Sequence, residues 1–280
     1  HETKRHPRIP LSENIYGADR RNAAGYDLTD GRTVEPLLEN IREQVDGRDW
    51  EAAPLLGGEA VKKGKAYAVR NPADTQTIIG QTLMSAPELV GRAFDIARQG
   101  FREWSGMDAG RRAAILEKLA DLMEEHHEEL MGLCTREAGK TVPDALAEVR
   151  EAVDFCRYYA MRGREDFSAV GTVLPGPTGE CNVLTLHGRG VFVCISPWNF
   201  PLAIFMGQIT AALMAGNAVI AKPAEQTPLI AAYMAQLMFT AGVPEKAFTL
   251  MPGDGQTGAA LVAHPGVAGV AFTGSPGTAP

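Results

Sequence analysis

The organisation of this chain is decided at residues 191–201, which read Val-Phe-Val-Cys-Ile-Ser-Pro-Trp-Asn-Phe-Pro. The apolar run at 191–195 predicts a buried strand, and the Ser-Pro that follows ends it because proline cannot continue a central strand. Asn199 then lies on the loop that leaves the carboxyl end of this strand. In open α/β sheets, ligands bind at that end of the strands. The stretch therefore predicts a strand followed by a ligand-binding loop.

A second polar pair follows one strand later, in the sequence Lys-Pro-Ala-Glu at residues 222–225. The apolar run at 218–221 predicts a strand that brings Lys222 and Glu225 to the same edge of the sheet as Asn199. Further apolar strands and helical runs alternate in this part of the chain, which predicts parallel strands and right-handed crossovers. The predicted strands are 191–195, 218–221, 247–251 and 268–272, and the predicted helices are 201–215, 228–241 and 256–263. The fold class is therefore α/β, with a Rossmann-like parallel sheet and flanking helices.

The bulk composition excludes several classes of protein. The chain has 280 residues, a net charge of −7 and no basic block, which argues against nucleic acid as the main partner. No apolar run approaches the roughly 18 residues that span a bilayer. The adjacent His126 and His127 point about 100° apart on a helix, so we predict no metal site there. The cysteines show no paired or metal-type spacing, which favours a reduced, cytoplasmic compartment; they are Cys134, Cys156, Cys181 and Cys194.

The first 170 residues are predicted to form an arm and a helical region. Residues 1–50 are polar and rich in proline and glycine, with one helical pattern at 35–45, and they predict an arm that drapes over a partner domain or subunit. Residues 51–170 are predicted to form the helical part of the cofactor domain. Its predicted features are a short hairpin at 55–69, a turn at 71–74 and helices at 87–104, 110–138 and 143–164.

In the segment at 171–189 the spacing of apolar residues changes from helical to strand-like, and a Pro-Gly-Pro-Thr-Gly turn lies at 175–179. This pattern predicts a β-hairpin, either projecting from the body or packed on its own domain.

Three motifs together resemble the cofactor half of the aldehyde dehydrogenase superfamily. They are Ile-Ser-Pro-Trp-Asn-Phe-Pro at 195–201, Lys-Pro-Ala-Glu at 222–225 and Phe-Thr-Gly-Ser at 272–275, and the resemblance extends from about residue 50 to residue 275. It implies that residues 190–280 form an NAD-binding segment and that the projecting hairpin at 171–189 joins subunits of a homo-oligomer. It also implies a set of cofactor-binding residues: Ile195, Ser196, Pro197, Trp198, Lys222, Glu225, Gly255, Gly274 and Ser275.

Each part of this implied cofactor site has a physical reason and a simpler alternative. Gly274 and Ser275 are predicted to open a helix whose free N–H groups favour a pyrophosphate, and plain helix capping is the alternative. The Glu225 carboxylate suits ribose hydroxyls and repels a 2′-phosphate, which favours NAD over NADP. The alternative for Lys222 and Glu225 is a surface ion pair. Gly255 is implied to let the adenine pack closely, and a mere turn glycine is the alternative.

Asn199 is the candidate catalytic residue, because its amide can donate to the oxyanion that forms when a thiolate attacks an aldehyde. The alternative is a helix N-cap asparagine. Glu148 and Phe200 align with family positions that line the aldehyde pocket, although a solvated helix face is equally open for Glu148. The family's nucleophilic cysteine and general-base glutamate belong to motifs beyond the Gly-Ser pair. None of the four cysteines lies in such a motif, and Cys194 belongs to a buried strand. We therefore expect this chain alone to lack aldehyde oxidation.

The arm carries a narrower resemblance. The segments at 8–11, 14–17 and 21–25 resemble the connector that precedes the aldehyde dehydrogenase module in the bifunctional proline utilisation A family, and an ordinary arm is the alternative. This resemblance implies oxidation of L-glutamate γ-semialdehyde to L-glutamate with NAD, and an FAD-carrying proline dehydrogenase module outside this chain. Another semialdehyde dehydrogenase and a non-catalytic nucleotide-binding or assembly fragment stay open. The tail at 276–280 departs from the family, because Gly277 and Pro280 oppose the helix expected there.

Overall fold

The computed structural model describes residues 6–277. Its helices, apart from a 3-10 turn at Ser12–Asn14, are α1 (Gly31–Val45), α2 (Leu89–Ser105), α3 (Ala109–Glu125), α4 (His127–Ala138), α5 (Val142–Asp166), α6 (Ala203–Met214), α7 (Pro228–Ala241) and α8 (Gly255–Val262). Its strands are β1 (Trp50–Ala52), β2 (Leu55–Leu56), β3 (Glu59–Ala60), β4 (Ala66–Asn71), β5 (Asp74–Leu83), β6 (Thr172–Leu174), β7 (Asn182–Leu184), β8 (Val191–Ile195), β9 (Ala218–Lys222), β10 (Phe248–Leu250) and β11 (Val267–Phe272).

The main sheet has the strand order β11-β8-β9-β10-β2-β3. Strands β11, β8, β9 and β10 run parallel, and the short β2–β3 hairpin joins antiparallel to β10 at its far edge. Alternate residues of the central strands enter two separate apolar cores. Val193 and Ile220 pack with α2 and α8, whereas Cys194 and Val219 pack with α6 and α7. Burial on both faces explains the continuous apolar runs and confirms the Rossmann-like α/β prediction.

A helical layer of α3, α4 and α5 lies outside α6 and α7 and shares their core. The predicted single helix at 110–138 is wrong, because the chain breaks at His126 into α3 and α4. The two histidines at the break make tertiary and backbone contacts. His126 Nδ1 lies 3.1 Å from the Tyr233 hydroxyl of α7, and His127 Nδ1 lies 2.9 Å from the Glu124 carbonyl oxygen. The apolar period continues through the break, which is why periodicity alone reads one helix.

A separate three-stranded sheet, β1-β5-β4, was only partly expected. The predicted turn at 71–74 is confirmed and joins β4 to β5, with Ala73 N–H donating to Asn71 Oδ1 at 2.9 Å. The predicted hairpin at 55–69 is right only for β2–β3, and its second half belongs to β4. Strand β5 was missed because its first half is exposed and rich in threonine and glutamine, which leaves no clear apolar alternation.

The arm lies on α3 and α5 of its own chain. Ala23 N–H donates to Asp154 Oδ1 at 2.7 Å and Ala24 N–H donates to Glu124 Oε1 at 2.9 Å. Arg157 is buried beneath this segment and pairs with Asp121 and Glu124. The ends of the arm and of the tail, at 1–5 and 278–280, lie outside the described residues.

The predicted hairpin at 171–189 forms a two-stranded sheet of its own, β6–β7. The apolar side chains on and beside it are exposed, from 79% for Val170 to 42% for Leu174. The projecting arrangement is therefore confirmed, and the alternative of a hairpin packed on its own domain is wrong. Among residues 6–277, no helix combines the length and the apolar character needed to cross a membrane.

Candidate functional site

A pocket of about 740 Å³ opens at the carboxyl edge of β8, β9 and β11. Every predicted site residue except Glu148 lines it: Ile195, Ser196, Pro197, Trp198, Asn199, Phe200, Lys222, Glu225, Gly255, Gly274 and Ser275. The parallel register brings them together, because Ile195 pairs with both Lys222 and Phe272. Thr273 N–H donates to the Ile195 carbonyl at 3.1 Å, which fixes the loops after β8 and β11 at one level.

Lys222 connects two loops of the pocket from below. Its side chain is largely buried, and its ammonium donates to the carbonyl oxygens of Pro223 at 3.1 Å and Gly253 at 2.9 Å. Burial lowers the pKa of Lys222, and the nearby Glu225 and Asp254 act in the opposite direction. Glu225 is exposed at the rim, and no ion pair joins it to Lys222 in the described part of the chain. The alternative of a surface Lys–Glu pair is therefore wrong.

Gly255 is the first residue of α8, not a turn glycine. Its φ lies outside the left-handed region, and the helix N-cap is Asp254, which accepts from Thr257 N–H at 3.0 Å. A Cβ built on Gly255 would meet no atom within 4 Å, whereas one built on Gly258 would lie 3.3 Å from Lys222 Cε. Gly255 thus leaves open space in the pocket, as a closely packed flat ligand would require.

The helix predicted to open at Gly274 and Ser275 does not form within the described residues. A turn occupies 276–277 instead, because proline followed by glycine favours a turn and glycine disfavours a helix. The residues that would continue such a helix, 278–280, lie outside the described residues, so the phosphate-binding helix N-terminus and its capping alternative both stay predictions. The loop is held from the side, where Gln208 Nε2 donates to Thr273 Oγ1 at 2.8 Å.

Asn199 is exposed on the loop before α6. The helix begins at Ala203 with Leu202 at the N-cap position, so the alternative of an N-cap asparagine is wrong. No hydrogen bond ties the Asn199 amide to another residue in the described range, and the side chain faces the pocket beside Trp198 and Phe200. The amide is therefore free to donate to a ligand.

Glu148 does not line the pocket, and it does not lie on a solvated face. Its side chain on α5 is 1% exposed, and Oε2 accepts from Leu202 N–H and Ala203 N–H, both at 3.0 Å. Helix α6 begins without a capping side chain of its own, so these donors need an acceptor from elsewhere. The sequence Phe-Pro-Leu at 200–202 offers no capping side chain for α6, and this absence is the sequence feature that indicates a capping carboxylate from another element.

Glu137 plays the same part at the start of α7, and sequence reasoning missed it. This residue of α4 is 4% exposed and accepts from Leu229 N–H at 2.6 Å and Ile230 N–H at 2.9 Å. Burial raises the pKa of Glu137 to about 8, and the two N–H donors only partly oppose that shift. Two buried carboxyl groups therefore hold the starts of the two helices that follow the site strands.

Replacing Glu137 by glutamine is expected to remove a pH dependence of stability. The folded pKa of about 8 lies above the ordinary value of 4.5, so the folded state binds the proton more tightly. The resulting stabilisation is complete below pH 4.5 and is lost as the pH rises to about 8, by up to about 1.4 kcal/mol per pH unit. Urea unfolding of both proteins across this range measures it. Parallel pH profiles for wild type and Glu137→Gln would contradict the assignment.

The cysteines are separate from the pocket. Cys134, Cys156 and Cys194 are buried, and burial raises the pKa of each thiol, to about 12 for Cys194. Cys181 is exposed, but it lies on the hairpin loop. None of the four lines the pocket, and no cluster of metal-ligating side chains occurs between residues 6 and 277.

Comparison with known proteins identifies the family. The family model for the aldehyde dehydrogenase family matches residues 60–280. The bifunctional protein PutA of Klebsiella aerogenes is 45% identical over 271 residues, which are 96% of this chain and 19% of that protein.

Two solved structures resemble the whole fold. A variant of Bradyrhizobium japonicum proline utilization A (PutA) superposes with a TM-score of 0.81 at 46% identity, over 98% of this chain and 24% of that one. A 1-pyrroline-5-carboxylate dehydrogenase from Thermus with bound NAD superposes with a TM-score of 0.83 at 31% identity, over 89% of this chain and 48% of that one. The chain thus spans less than half the length of each of these relatives. By sequence and by fold, it belongs to the aldehyde dehydrogenase family.

Proposed function

We propose that this chain is the NAD-binding part of an enzyme that oxidises L-glutamate γ-semialdehyde to L-glutamate in proline catabolism. One observation carries the proposal: the predicted cofactor residues and Asn199 line a single pocket at the carboxyl edge of the parallel strands. The names of the relatives, PutA and 1-pyrroline-5-carboxylate dehydrogenase, supply the substrate, because the semialdehyde forms from pyrroline-5-carboxylate by hydrolysis.

The residues of the pocket support NAD as the cofactor. Glu225 is exposed at the rim, where its carboxylate accepts hydrogen bonds from ribose hydroxyls and repels the 2′-phosphate of NADP. Gly255 leaves room for the adenine, and Ile195 to Trp198 with Gly274 and Ser275 form the remaining wall. When bound, NAD accepts a hydride from the substrate carbon. The FAD of a proline dehydrogenase module belongs outside this chain.

The chain contributes an oxyanion donor and a wall of the aldehyde site. Asn199 donates its amide N–H to the oxygen on which negative charge develops, and Phe200 shields that position from water. The attacking thiolate and the general base come from a part of the enzyme outside residues 1–280, in keeping with the four cysteines lying away from the pocket. The cytoplasmic location suggested by the unpaired cysteines stays a prediction.

The test is an NAD-dependent assay on the full-length protein that contains this segment. We expect NADH formation with L-glutamate γ-semialdehyde, slower turnover with NADP, and slower turnover with semialdehydes that lack the α-amino group. A faster reaction with another semialdehyde would reassign the substrate. NAD binding without turnover of any aldehyde would favour the non-catalytic nucleotide-binding or assembly fragment.

The hairpin β6–β7 is proposed to join subunits of a homo-oligomer. Its exposed valines and leucines support this, because a free two-stranded ribbon with an apolar surface gains stability when another surface covers it. Replacing Val173 and Leu184 by aspartate is expected to lower the molar mass in solution, as measured by light scattering after size exclusion. An unchanged mass would contradict the hairpin's role, and wild-type monomers would refute oligomerisation itself.

A further inference from the structure

Lys140 occupies the corner between α4 and α5, where Gly139 ends the first helix in a left-handed conformation and Thr141 caps the second. Its side chain is 16% exposed and has two contacts that lead to the candidate site. The ammonium Nζ lies 3.0 Å from Glu148 Oε1 and 4.1 Å from the centroid of the Phe200 ring. One cation therefore contacts a buried carboxylate and an aromatic side chain at the pocket wall.

These contacts converge on one short stretch of backbone. Glu148 holds the N–H groups of Leu202 and Ala203 through its other oxygen, while Lys140 covers the ring of Phe200. Asn199 is the neighbour of Phe200 on the loop, and no hydrogen bond of its own anchors its amide within the described range. The position of that amide therefore depends on how firmly residues 200–203 are held from beneath.

Glu137 offers an internal comparison. It also accepts two backbone N–H groups at the start of a crossover helix, but no lysine pairs with it in the described part of the chain. Burial raises the pKa of Glu137 to about 8, and only its two backbone N–H donors oppose that shift. The start of α6 thus differs from the start of α7 because Lys140 pairs with its capping carboxylate. Of these two helices, only α6 directly follows the loop that carries Asn199.

We propose that Lys140 is a positioning residue for the aldehyde end of the pocket, holding the Phe200 ring and, through the loop, the amide of Asn199. Its ammonium pairs with Glu148 Oε1 at 3.0 Å, and the other oxygen of that carboxylate accepts from both N–H groups at the start of α6. The same ammonium attracts the electron-rich face of the Phe200 ring. This inference rests on the proposed function, since it concerns the geometry of that reaction's oxyanion donor.

The test compares Lys140→Met and Lys140→Arg in the full-length enzyme. We expect Lys140→Met to lower kcat/KM for the aldehyde about 10- to 100-fold, because small displacements of a catalytic group cost that much. The dissociation constant for NAD should change less than about 2-fold, because the cofactor residues keep their supports. Lys140→Arg should recover most of the activity, since a guanidinium pairs with a carboxylate and stacks on a ring. Lys118→Met, which removes an exposed lysine bonded to the Thr240 carbonyl, is the matched control.

A double-mutant cycle separates positioning from a general loss of folding. Phe200→Leu removes the ring, so Lys140→Met should have a clearly smaller effect in that background than in the wild type. Equal effects in both backgrounds would overturn the proposal, as would wild-type kinetics for Lys140→Met or equal loss of aldehyde turnover and NAD affinity. If the wild-type enzyme itself turns over no aldehyde, the proposed function fails before this inference is reached.

Discussion

Replacing Asn199 by alanine is expected to lower kcat of the full-length enzyme about 100- to 1000-fold. The amide is exposed in the pocket and unengaged by other described residues, so it is available to donate to an oxyanion. A donor that acts only when charge develops on the substrate oxygen lowers the barrier without tightening ground-state binding. The loss should therefore fall on kcat, with little change in KM for NAD.

Two further variants sharpen this prediction. Asn199→Asp keeps the shape but places a carboxylate where the N–H was, so it should be at least as inactive as the alanine variant. Asn40→Ala removes an exposed asparagine that donates to Glu128 far from the pocket, and it should retain full activity. Steady-state kinetics and NAD titration measure all three. An alanine variant within about 3-fold of wild type would remove Asn199 from the catalytic role.

The side chains that cap the starts of α6 and α7 were harder to predict from the sequence than the strands of the parallel sheet. Strand 191–195 and helix 228–241 appear at the predicted bounds, because their apolar runs are long and are buried on more than one side. The convergence of Asn199, Lys222 and Glu225 followed from parallel strand order alone. Glu148 could not be assigned that way, because the N–H groups it binds lie 54 and 55 residues away along the chain.

The other errors have local physical causes. At the α3–α4 break His126 contacts the Tyr233 hydroxyl of α7, a tertiary contact that periodicity does not register. Apolar and polar residues alternate only weakly along β5, because only the second half of the strand is packed against other elements. Pro276 and Gly277 form a turn after Thr273, and the residues that would continue the expected helix lie outside the described range. Sequence reasoning thus found the four parallel strands and the pocket wall, and it missed the long-range hydrogen bonds that hold the wall in place.

Replacing Glu148 by alanine is expected to lower the free energy of unfolding by about 3–5 kcal/mol, because removing one partner strands a largely buried charge. Lys140 would lose its carboxylate, and the N–H groups of Leu202 and Ala203 would lose their acceptor. The start of α6 would then fray toward Asn199, so activity should fall together with stability. Chemical unfolding, read by circular dichroism, measures the change.

Glu117 provides the matched control for Glu148→Ala, because it is also a glutamate paired with a basic side chain. Its two oxygens lie 2.5 and 2.6 Å from the Arg164 guanidinium, but both partners are about two-fifths exposed. Solvent screens such a pair, so Glu117→Ala should cost less than about 1 kcal/mol despite its bidentate geometry. Equal costs for the two variants would mean that pairing alone, not burial at the α6 terminus, gives Glu148 its importance. A large cost for Glu148→Ala only would tie the stability of this region to the same carboxylate that supports the pocket wall.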